Sequence, residues 1–259
     1  METKLLLSSH EPPAVTVTRP ESRSPFLFTC DHASNRIPLV LGDLGVSQAE
    51  MQRHIAWDIG ALAVAMRLAD AFEAPLVASG YSRLVVDCNR QLWRDDAIPV
   101  RSEFTDVPGN RALSEAQKTR RHREFHQPYH EAITALIDRR LSRGHSMIYV
   151  SMHSFTPIYR GVHRPWQVAM LSNRDRRVAD TLLRELRHEP GLCVGDNEPY
   201  RLTDEGDYGV PVHAERRGLP HVLIELRQDE VNMPSGQAVW ATRLIPMLAL
   251  VARELGLEP

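Results

Sequence analysis

The chain has 259 residues, 42% hydrophobic and 25% charged, which is enough apolar material for one full core and a single domain of ordinary size. Its 31 basic and 33 acidic residues leave a net charge of −2, which argues against nucleic acid or an anionic membrane as a partner and leaves a small molecule as the expected one. Three cysteines without a CxxC spacing, Cys30, Cys88 and Cys193, fit a reducing compartment rather than a disulfide framework, and all three lie in or beside apolar runs expected in the core.

In chain order, the first nine residues hold only a three-leucine run, too short for a signal peptide, and no later run approaches the ~20 apolar residues of a membrane span, so a cytoplasmic location is expected. Residues 8–24 are polar and carry three prolines, so residues 1–24 are expected as a flexible arm ahead of one domain over 25–259. "PFLFTC" then reads as a strand. Ser47 with Glu50 three residues on is a capping-box spacing that opens a helix through "MQRHIAWDIGALAVAMRLADAF". "APLVAS" and "RLVVDC" read as two strands, followed by a polar loop over residues 91–112. Ser114 with Gln117 opens a long helix that Gly144 closes. "SMIYVSMH" and "WQVAMLS" read as strands, then a helix over 174–188, the strand "LCVGD", a short helix over 210–217, the strand "HVLIEL" and a terminal helix from about Gly236. Strands alternating with helices predict an α/β domain with a mostly parallel sheet covered on both faces.

Polar residues recur where those strands end. Asp31-His32 follows "FLFTC", Asn89-Arg90 follows "RLVVDC", His153 follows "MIYVS", and Glu225 lies near the end of "HVLIEL". In an open α/β sheet, ligands bind outside the carboxyl ends of the strands, so these residues converge on one crevice. Two histidines with carboxylates and no cysteine ligands suit a catalytic zinc ion with three protein ligands. GxSxG, Walker A, GxGxxG and HExxH patterns do not occur, which weighs against serine-hydrolase, nucleotide-binding and zincin readings. Glu225 is placed to take a proton from water, and Arg90 to hold a substrate carboxylate, so the set describes metal-assisted amide hydrolysis. Competing plain readings are an ion pair of Glu225 with Arg227, a structural pair of Arg83 with Asp87, an ordinary helix histidine at His213, and a solvated charged face at "KTRRHR", residues 118–123.

"CDHASNRIP", "YSRLVVDCNR", "SMHSF" and "VLIELRQD", in this order and spacing, resemble the N-formylglutamate amidohydrolase family from Pro25 onward. That family is in turn similar to the zinc carboxypeptidase-type exopeptidases, which implies a three-layer α/β/α sandwich around a mixed sheet. The resemblance implies one zinc ion held by His32 and His153, Glu225 as general base, and Asn89 and Arg90 gripping the substrate carboxylate. Arg83 and His213 are read from the residues themselves as further substrate contacts. It departs at Asn35, where the exopeptidase pattern has a glutamate ligand. Asp58 is the expected third ligand, with Asn35, Asp31 and His54 as alternatives. The expected activity is hydrolysis of an N-acyl amino acid such as N-formyl-L-glutamate. The alternatives are a non-catalytic carboxylate-binding protein of the same fold, or a hydrolase for another acyl amino acid or a peptide.

Overall fold

The structure, a computed structural model, describes residues 5–257. Its strands are β1 (Val15–Thr18), β2 (Phe26–Cys30), β3 (Leu76–Ser79), β4 (Arg101–Ser102), β5 (Thr105–Asp106), β6 (Ile148–Phe155), β7 (Ile158–Tyr159), β8 (Val162–His163), β9 (Val168–Leu171), β10 (Val194–Asp196) and β11 (His221–Arg227). The main helices are α1 (Gln48–Met51), α2 (Ala61–Ala71), α3 (Glu115–Arg121), α4 (Gln127–Leu141), α5 (Arg177–Arg187), α6 (Gln228–Val231) and α7 (Pro234–Glu254). Seven strands form one sheet in the order β1-β3-β2-β6-β11-β9-β10, parallel from β3 to β11 and antiparallel where β1 meets β3 and β9 meets β11.

The central strands are apolar on both faces because helices cover both faces. Phe26 and Phe28 point to the layer of α2, α5 and α7, whereas Leu27 between them joins Tyr129, Ile133 and Ile137 of α4 on the other side. The expected three-layer α/β/α sandwich is therefore the observed one.

Five local expectations differ. Val15–Thr18, inside the segment read as a flexible arm, pairs antiparallel with β3 as an edge strand. "RLVVDC" is a buried turn-rich segment rather than a strand. Its Leu84, Val85 and Val86 pack with Ile55, Val107 and Phe125 beside the sheet. Both edges of β3 are already taken by β1 and β2, so the segment's backbone groups find other partners. Asn110 donates to Leu84 O at 2.8 Å, Arg121 to Val85 O at 3.1 Å, and the Asp87 N–H to Ala97 O at 2.8 Å. Arg121, read as part of a solvated charged face, is thus buried and structural. Cys193 is exposed, although Cys30 and Cys88 are buried as expected.

The fifth difference matters most for the site. The helix expected from Ser47 onward breaks after α1, and the chain runs non-helically until α2. Gly60 sits in the left-handed region at φ 80°, and a Cβ there would lie 2.2 Å from the Val231 carbonyl oxygen. No other residue fits that approach. The break sets the Asp58 N–H on His32 O at 3.0 Å and carries Asp58 to the carboxyl end of the sheet.

Candidate active site

His153 lies on β6 directly opposite Glu225 on the parallel neighbour β11, and His32 stands two residues beyond β2, the strand on the other side of β6. Together with Asp58 they form a buried group in which one ligand atom from each of His32, Asp58 and His153 lies within 4.8 Å of the others. Both histidines present Nδ1 to the same carboxylate oxygen, at 3.2 Å for His32 and 2.9 Å for His153. Two imidazole nitrogens and one carboxylate oxygen are the donor set that a three-ligand catalytic metal requires.

The far nitrogen of each ring is also held. His32 Nε2 meets Asp87 Oδ1 at 2.7 Å, and His153 Nε2 meets Asp31 Oδ2 at 2.9 Å. A carboxylate behind each imidazole fixes the tautomer that leaves Nδ1 for a metal. Burial works against charge on His153, yet its bonds to Asp31 and Asp58 outweigh that and hold its pKa well above the usual value. Burial opposes ionisation of Asp58 as well, but His32 and His153 bring its pKa down. Asp31, also buried, is brought down to about 2 chiefly by His153. The histidines thus keep the buried carboxylates ionised, and the donor set is one that could hold a divalent ion.

Glu225 contrasts with its neighbours. Burial raises its pKa to about 7, only partly countered by His153, and Oε2 has no hydrogen-bond partner among the described residues. Arg227 does not pair with it: that guanidinium goes to Asp229, Glu230 and the carbonyls of residues 164–166. An unpaired buried carboxyl costs stability in a purely structural role, and a pKa near neutrality suits a proton carrier.

His32, Asp58 and Glu225 border a cavity of about 210 Å³ that also receives Arg83, Asn89 and Arg90. The loops over 91–112 and 155–166 reach it through Ser102 and Tyr159, and Tyr200, Asp207, Leu171 and Leu223 complete its wall. Arg83 bonds Asp87 Oδ2 at 2.8 Å and approaches His32 Nδ1 at 3.3 Å, so the structural pair of Arg83 with Asp87 exists and is itself part of the site. Arg90 donates to Gly206 O at 2.9 Å and Asn89 O at 3.1 Å through Nη1, and to Asp96 at 3.3 Å through Nε. Asn89 is committed to the loop opposite, donating to Asp207 at 3.0 Å and accepting the N–H groups of Tyr208 and Gly209 at 3.0 Å.

Three named residues fall elsewhere. Asn35 donates to Met51 O at 3.0 Å and stays out of the donor group. His54 lines the cavity beside Glu103, 3.4 Å away, rather than joining the metal group. His213 does not border the cavity; it is buried against His130, with Nε2 2.8 Å from His130 Nδ1. Tyr200 and Asp207 were not legible in the sequence, since each sits in a polar loop without periodicity.

A sheet with imidazole, carboxylate and guanidinium groups gathered at its carboxyl edge, around a buried triad able to hold a metal, has the arrangement of a hydrolase. The model of the N-formylglutamate amidohydrolase family matches residues 24–231, and the chain belongs to that family. It is accordingly a hydrolase acting on an amide bond. Among solved structures, the gene product Atu2144 from Agrobacterium tumefaciens is 36% identical, with 97% of this chain and 99% of that one covered and a TM-score of 0.93. N-formylglutamate amidohydrolase from Ralstonia eutropha JMP134 is 19% identical, with 94% and 98% covered and a TM-score of 0.69. The comparison with curated proteins gave no match.

Proposed function

We propose that the chain hydrolyses an N-acyl amino acid, N-formyl-L-glutamate in the first instance, with one zinc ion held by His32, Asp58 and His153. The observation that carries this reading is the company of Glu225: a buried, unpartnered carboxyl near a buried His-Asp-His group, lining with His32 and Asp58 a cavity that also holds two guanidiniums. A zinc ion held by those three residues would supply Lewis acidity, making bound water more acidic and an acyl carbonyl more electrophilic.

The side chains supply the rest. Arg90, whose Nη2 has no partner among the described residues, and Arg83 hold the substrate carboxylate by charge-assisted hydrogen bonds. Asn89 keeps Arg90 in place by closing the 206–209 loop over it. Glu225 takes a proton from the water whose oxygen bonds to the acyl carbon, and hands that proton to the nitrogen as the C–N bond breaks. The products are the free amino acid and the carboxylic acid.

The reading is tested by screening N-acyl amino acids against zinc-loaded protein and measuring released amine or formate. Turnover of N-formyl-L-glutamate is expected. Binding of the same compounds without release of either product would instead favour a carboxylate-binding protein.

A further inference from the structure

Helix α4 opens with His126 just before it, followed by Gln127, Pro128, Tyr129 and His130, and three of these side chains reach behind the site. The Tyr129 hydroxyl donates to Asp31 Oδ1 at 2.5 Å, while the other oxygen of Asp31 holds His153 Nε2. His130 Nε2 lies 2.8 Å from the Cys88 carbonyl oxygen, and His126 Nε2 lies 3.3 Å from that of Arg90. A carbonyl only accepts, so both nitrogens carry the proton. The two gripped carbonyls stand on either side of Asn89, whose own side chain fastens the facing loop.

The arrangement is over-determined. With its proton on Nε2, neutral His130 accepts at Nδ1 from His213 Nε2, 2.8 Å away, so one contact fixes both tautomers. Tyr208 packs against both rings, with centroids 4.8 Å from His126 and 4.2 Å from His130. A π-helical turn over His122–His126 immediately precedes α4. One extra residue per turn rotates the downstream helix by about 100°, and such turns occur often at functional sites. Here it brings residues 126, 129 and 130 onto the sheet's carboxyl edge while Ile133 and Ile137 still face the core.

We propose that the segment His126 to His130 is a two-armed positioning element. Tyr129 sets the imidazole of His153 by way of Asp31, and His126 and His130 set the Asn89–Arg90 arm by holding the carbonyls on both sides of it. The inference rests on the metal and substrate roles proposed above, and goes beyond them in assigning residues that touch neither. A plain packing role predicts that substitutions here lower stability and spoil every function together. The two-armed role predicts that they separate.

Tyr129→Phe keeps the ring and removes the hydroxyl, so zinc affinity measured by chelator competition should fall about tenfold with KM for N-formyl-L-glutamate nearly unchanged. His130→Leu should do the opposite, raising KM roughly tenfold with zinc affinity unchanged, because one hydrogen bond is lost behind Arg90. His130→Gln, whose amide N–H reaches the same carbonyl, should restore KM. Should His130→Leu fail to fold, His126→Leu carries the same expectation through the Arg90 carbonyl. Zinc affinity and KM moving together in both variants, or neither moving, overturns the proposal. Wild-type protein that takes up no zinc, or leaves N-formyl-L-glutamate intact, overturns the underlying reading instead.

Discussion

Asp58 Oδ2 stands 2.9 Å from His153 Nδ1 although 95 residues separate them, and the contact is buried. It joins the break between α1 and α2 to the end of β6, and places one carboxylate oxygen against the Nδ1 atoms of both His32 and His153. Asp58→Ala should therefore lower zinc content as severely as His153→Ala, whereas Asn35→Ala, which loses only a bond to Met51 O, should keep most of it. Metal analysis of the three purified variants decides the matter, and zinc lost from Asn35→Ala but kept in Asp58→Ala would return the ligand role to position 35.

Glu225→Gln is nearly isosteric and leaves the three metal donors in place. It should bind zinc as the wild type does and lower kcat by at least ~100-fold, the scale of a lost general base. Steady-state assays beside metal analysis test this, and full turnover by the variant would remove Glu225 from proton transfer.

The same carboxyl makes a prediction about stability. Its folded pKa of about 7 lies above the ordinary value of 4.5 because burial penalises the charge. Between those two values the folded state binds the extra proton, so the group's contribution to stability is complete below pH 4.5 and is lost as pH rises through 7. In metal-free protein, Glu225→Gln should therefore melt close to wild type at pH 4.5 and above it at pH 8. Thermal unfolding at the two pH values reads the sign directly, and a gap that closes with rising pH would contradict it.

Arg90→Ala should lower kcat/KM for N-formyl-L-glutamate far more than for a neutral amide analogue, since only the former loses a charge-assisted contact of roughly 1.5–3 kcal/mol, or about 10- to 150-fold. Comparing the two substrates on one variant separates recognition from loop damage. Equal loss on both would make Arg90 a support for the 206–209 loop.

A mostly parallel sheet covered on both faces was legible in the sequence because burial on both faces forces central strands such as "FLFTC" and "HVLIEL" into continuous apolar runs between helical periods, and the family resemblance supplied the three-layer sandwich. Polar residues at the ends of those runs also have a local signature, which is why His32, His153, Glu225 and the Asn89–Arg90 pair stood out. "RLVVDC" misled for a related reason: its composition is that of a strand, but whether a strand forms depends on a free sheet edge, and β1 and β2 had taken both edges of β3. Local periodicity reports burial and not its partner.

What tertiary structure alone decided is the second layer of contacts. Asp58 read as a helix residue until Gly60, pressed against Val231 O, broke the helix and turned the carboxylate inward. Asp87 read as one half of an ion pair, and only the fold shows it serving Arg83 and His32 at once. Tyr129 and His130 have no distinguishing pattern in a helix of mixed polarity, because their partners, Asp31, Cys88 and His213, lie 42 to 98 residues away. The sequence by itself determined which polar residues stand at the ends of the buried strands β2, β6 and β11, since that follows from polarity against a buried background. It left open which of those residues meet, because a hydrogen bond between distant segments is set by where two backbones cross, a property of the packed sheet and helices rather than of any window along the chain.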